Sequence, residues 1–99
     1  MVKIVWTELS VDDLKEIHDY ISKNTPRFAI ITVNKIYQRA EIIISNPYVG
    51  RIVPEINNEQ VRELIIGNYR LIYLIISDIQ IDILRVYHSA RSLTKEHLK

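Results

Sequence analysis

The stretch "VRELIIGNYRLIYLII", residues 61–76, decides how this chain folds. Two runs rich in β-branched and aromatic residues flank Gly67-Asn68, a pair that marks a turn, so they read as antiparallel strands. After Ser77-Asp78 a third run, "IQIDILRVYH", continues in the same style, and the three together predict an antiparallel meander. The middle run is apolar on both faces except at Arg70, which places it at the centre of the sheet with both faces covered.

Upstream the pattern changes from strand to helix. After a short strand-like opening at residues 2–6, Thr7 or Ser10 offers a helix cap, and Ser10 with Asp13 has capping-box spacing. Val11, Leu14, Ile17 and Ile21 then fall on one helical face, while Asp12, Lys15, Glu16, Asp19 and Lys23 fall elsewhere. Thr25-Pro26 starts a second helix, because proline at the first helical position loses no bond. Ala29, Val33, Ile36, Tyr37, Ala40, Ile43 and Ile44 recur at spacings of three and four, predicting roughly 20 helical residues closed by "NPYVG". So short a link between two helices predicts a hairpin. The tail "SLTKEHLK" could add a short last helix. The expected class is α+β: an N-terminal strand, an α-helical hairpin, then a curved antiparallel sheet of three or more strands, with residues 1–99 forming one domain.

Composition narrows the chemistry. Of 99 residues 47% are hydrophobic and 25% charged, enough for a core and unlike a disordered chain. The absence of cysteine removes disulfides, thiolate catalysis and cysteine-based zinc sites. No basic-then-apolar leader opens the chain, and the apolar run "LIYLII" is far shorter than a membrane span, so a cytoplasmic protein is expected. The formal net charge of +1 does not announce a nucleic-acid binder. The second half does favour arginine over lysine, which suits flat contacts to phosphate or carboxylate. Nucleophile elbows, phosphate-cradling glycine loops and paired-histidine metal motifs are missing, so neither cofactor nor metal is expected.

The candidate chemistry clusters near "LRVYHSARS", residues 84–92. His88 has the pKa for proton transfer near neutrality and stands at a strand end, where it either faces a cleft or binds the next loop. Arg70, inside an apolar strand, needs a ligand or a partner such as Glu63 or Asp82. It shares a face with His88 only if the strand register allows. Arg62, Tyr87 and Arg91 are further candidates for contacting a target, and Glu55 is a loop carboxylate.

Four blocks, "DLKEIHDYI", "NPYVGRIVPEI", "RELIIGNYRLIYLI" and "ILRVYHSAR", resemble in order and spacing those of the RelE/ParE superfamily of toxins from toxin–antitoxin pairs. The resemblance implies a growth-inhibiting toxin, at times serving plasmid stabilization, and a cognate antitoxin that wraps it with helical and extended segments. The "Y-R-x-x-Y" strand at Tyr69, Arg70 and Tyr73, and the "H-x-x-R" block of His88 and Arg91, resemble the ParE branch, which inhibits DNA gyrase by binding. The alternative is a YoeB-like endoribonuclease that cuts messenger RNA on the ribosome. By that resemblance Glu55 would be the base, His88 the acid and Arg70 the phosphate clamp, although Ser89 replaces the terminal tyrosine of those enzymes. Near-neutral charge suits a ribosome binder poorly, because such binding draws on counterion release.

Overall fold

The computed structural model describes residues 2–88. In chain order they form β1 (Lys3–Trp6), α1 (Glu8–Ser22), α2 (Pro26–Arg39), α3 (Ile42–Ser45), β2 (Arg51–Ile52), β3 (Val61–Ile66), β4 (Tyr69–Ser77) and β5 (Gln80–His88). The strands make one open sheet in the order β1-β5-β4-β3-β2, so β4 is central, as its two apolar faces require. The helix expected in "SLTKEHLK" lies outside the described residues.

The meander forms where the turn residues put it. Gly67 holds φ at +59°, the left-handed region open to glycine without strain, and Ile66 pairs with Tyr69 across the two-residue loop. The opening strand does more than the sequence indicated. β1 runs parallel to β5, with Lys3 opposite Gln80 and Trp6 opposite Ile83, so the sheet is mixed rather than wholly antiparallel. Trp6 also stacks on Tyr37 of α2, with ring centroids 5.3 Å apart.

The helical hairpin covers one sheet face. Ile36, Ala40 and Ile43 meet Leu64, Leu71, Tyr73, Ile83 and their neighbours there, and Leu14 and Ile17 of α1 pack against the same cluster. α2 is shorter than its periodicity suggests. Beyond Arg39 the bonding tightens to i→i+3 links, from Glu41 N–H to the Gln38 carbonyl and from Ile43 N–H to that of Ala40. This change of pitch lets Ala40 and Ile43 both stay buried while the chain turns toward Pro47.

The inward stripe of α1 also begins differently. Thr7, not Ser10, is the cap, and its side chain accepts from Ser10 N–H. Ser10 and Asp13 are buried, whereas Val11, expected inside, is 51% exposed. The reason is the partner: this end of α1 lies against β5 beyond the last β1 pair, where strand N–H groups need acceptors. Asp13 supplies one, taking the Val86 N–H at 2.9 Å.

The opposite sheet face carries a smaller cluster of Val53, Val61, Ile72 and Tyr87, flanked by Ile56, Leu74 and Leu84. Residues 53–60, which contribute Val53 and Ile56, run alongside it.

Candidate functional site

Arg70 is the polar centre of this second face. Its Nε donates to Glu63 Oε1 at 2.6 Å, while Nη1 and Nη2 donate to the two Glu55 oxygens at 3.0 Å each. Glu63 also accepts from Arg51 Nε, so one wholly buried carboxylate joins two guanidiniums. The Glu55 hydrogen bonds, above all, hold Arg70 further toward its charged form, against the opposing pull of burial. A buried cation bonded through Nε and both terminal nitrogens to two carboxylates has its charge met on the spot. The chain gets there by strand alternation: Glu63 lies opposite Ile72, two positions along β4 from Arg70, on the same face.

His88 is elsewhere. Arg70 pairs with Tyr87, and His88 pairs with Tyr69, one position along, so the two candidate side chains leave opposite faces of the sheet. The imidazole lies edge-on to Tyr69, centroids 5.9 Å apart. Glu55 and Arg70 therefore meet, but the three-residue constellation of the nuclease alternative is not assembled. Tyr87 is 3% exposed beneath Arg85, whose Cζ lies 4.6 Å from its ring centroid, so it has little surface of its own to offer a target. Arg91 lies outside the described residues.

Arg62 is held at one end of the sheet. Its Nε donates to the Glu59 carbonyl at 2.8 Å and Nη1 to that of Gly50 at 3.1 Å, with the exposed Tyr48 ring 5.0 Å from Cζ. Beneath this loop the Tyr73 hydroxyl donates to the Pro47 carbonyl at 2.7 Å and accepts from Gly50 N–H at 2.9 Å. Gly50 is obligatory for that approach: a Cβ there would stand 2.5 Å from the Glu63 carbonyl oxygen. Burial pushes the Tyr73 hydroxyl above its ordinary value of 10.0, with the Gly50 bond acting in the other direction.

Two surface concavities are lined in part by Tyr69. An apolar groove of about 240 Å³ separates α2 from the β3–β4 turn, lined among others by Phe28, Ile31, Lys35, Ile66 and Tyr69. An open cleft of about 410 Å³ lies between α1 and the ends of β4 and β5. Sequence reasoning missed the pair that borders this cleft, Asp13 with Arg85, bonded at 2.8 and 2.9 Å. The signal was there: Asp13 lies three residues from Ser10 and four from Ile17, on the stripe that turns inward.

A mixed five-stranded sheet backed by a helical hairpin is the fold of a ParE-type toxin. The family model described as ParE toxin of type II toxin-antitoxin system, parDE, matches residues 4–93, and the chain belongs to that family. Among solved structures it is similar to "Chromosomal ParDE TA system from P. aeruginosa", at 24% identity and a TM-score of 0.73, covering 89% of this chain and 96% of that one. That likeness bears on the fold. No curated protein matches the chain. Among the described residues no helix is long and apolar enough to cross a membrane.

Proposed function

We propose that this toxin acts by binding DNA gyrase and that a cognate antitoxin neutralises it, without a catalytic step of its own. The observation that carries this reading is the state of Arg70. A phosphate clamp presents a guanidinium fork to its substrate, whereas the fork of Arg70 formed by Nη1 and Nη2 is taken by both Glu55 oxygens and its Nε by Glu63. A proton donor at His88 on the opposite face cannot serve the same phosphate. In this reading Glu55, Glu63 and Arg70 hold the second sheet face together, while Arg62, His88 and Arg91 are the polar groups offered to the target.

The groove beside α2 is the proposed antitoxin seat. Phe28 and Ile31 are 56% and 51% exposed at its rim, more apolar surface than an isolated helix face needs to leave in water. An amphipathic antitoxin helix would bury it, and α2, with Arg27, Lys35 and Arg39 and no acid, favours an acidic one.

Co-expression tests the pair. Induced alone, the protein should arrest growth, and the product of the neighbouring gene should restore it. An Ile31→Asp variant should still arrest growth but escape rescue. Normal growth on induction of soluble protein would contradict the reading.

A further inference from the structure

The helical hairpin is electrically divided. α1 carries Glu8, Asp12, Asp13, Glu16 and Asp19 against Lys15 alone, whereas α2 carries three bases and no acid. The larger cleft opens on the acidic side, lined by Asp13, Glu16, Tyr20, Tyr69, Tyr87 and His88 together with apolar Ile17 and Val86.

One part of its wall already holds a guanidinium. Asp13 takes Arg85 through both oxygens, and the Tyr87 ring covers the flat side of the same cation. A planar cation gripped at its edge by a carboxylate and covered by an aromatic ring is what arginine, rather than lysine, is built to satisfy. The open remainder of the cleft repeats these ingredients. Glu16 supplies a carboxylate, and Tyr20 and Tyr69 supply rings, with Tyr20 74% exposed. Asp13 is engaged by hydrogen bonds from Arg85 and from the Val86 N–H, whereas the exposed Glu16 acts on Arg85 only through its charge. Among the described residues neither lysine nor arginine lines it. Lys23 stands at the rim, its Nζ 5.9 Å from the Tyr20 centroid, at the outer limit of a cation–π contact.

We propose that this cleft is a docking point for an arginine side chain of a partner polypeptide, seated against Tyr20 and Tyr69 and held by Glu16. The site selects for positive charge, whereas the α2 groove selects for negative charge, and it stands whether or not the gyrase reading holds.

The test is a backbone amide titration of the full chain with acetyl-Gly-Arg-Gly-amide. Shifts should concentrate at residues 16–20 and around Tyr69. Glu16→Gln and Tyr20→Ala, both at solvent-facing positions, should each weaken binding by about three- to fivefold, the loss of one charge or one ring contact. Replacing the probe's arginine by citrulline should abolish the response, and replacing it by lysine should weaken it. Shifts scattered over Asp12, Asp78 and other acids, undiminished binding by Glu16→Gln, or an equal response to the citrulline, lysine or glutamate probe would each overturn the proposal.

Discussion

The two faces of the sheet solve the same problem with different chemistry. Toward the helices, Leu71, Tyr73, Ile81, Ile83 and Val86 are covered by α1 and α2, and the Tyr73 hydroxyl reaches outward to a loop. On the far face none of the described helices contributes to the apolar cluster, which is small, and Glu63 and Arg70 are buried beside it. Apolar burial tolerates some misfit, since a trimmed side chain leaves a cavity and nothing more. Buried charge does not, because each ion left without its partner keeps its full desolvation penalty. The second face should therefore be the more brittle one, despite being the thinner.

The contrast can be broken most forcefully at Glu63. Its truncation to alanine strands Arg70 Nε and should cost about 3–5 kcal/mol in urea unfolding. Leu71→Ala on the helix side should fall across about 2–5 kcal/mol, according to how far its surroundings collapse. Removing both charges, as Glu63→Leu with Arg70→Met, should recover most of the loss. A double variant as weak as Glu63→Ala alone would mean that the network stabilises by attraction rather than by avoiding orphaned charge.

Gly50→Ala comes next, at about 1–3 kcal/mol, since the added methyl must displace the β3 backbone or the Tyr73 ring. Tyr73→Phe leaves the Gly50 N–H and Pro47 carbonyl without their partner, for about 1–3 kcal/mol near neutral pH. It also has a pH signature. The folded Tyr73 holds its proton more tightly than the unfolded chain does, so its contribution is complete below pH 10.0 and drains away as pH rises beyond it. Wild-type stability should thus fall in alkali, and the phenylalanine variant should fall less steeply in chemical denaturation between pH 9 and 11. The mildest change is Glu55→Gln. Its carboxylate is partly in water, so the expected loss is below about 1 kcal/mol and should shrink further with added salt.

How much of this was legible in the sequence follows from the same contrast. The hairpins were legible because Gly67-Asn68 and Ser77-Asp78 interrupt otherwise continuous β-branched runs, and turn chemistry is local. The central place of β4 followed from its two apolar faces. Register was not legible. Irregular pairing between Ile72/Tyr73 and Ile75/Ser77 shifts the alternation along β5, and one step separates the Tyr87 opposite Arg70 from a shared face with His88. The parallel pairing of β1, whose Lys3 lies opposite Gln80, leaves no local trace. Asp13 did carry a local signal in its spacing from Ser10 and Ile17, but its bond to the Val86 N–H depends on where β1 stops. Glu63 could be named as a partner for Arg70 by charge, but the simultaneous grip of Glu55 depends on the path of residues 53–60.

The central claim is that the glutamates and arginine of the second face are scaffold and that toxicity comes from binding gyrase. The most direct measurement sets purified toxin against gyrase with plasmid, and separately against translating ribosomes with message. Inhibited supercoiling with intact message is the expected result. Message cut by the wild type and spared by His88→Ala, with supercoiling unaffected, would contradict it.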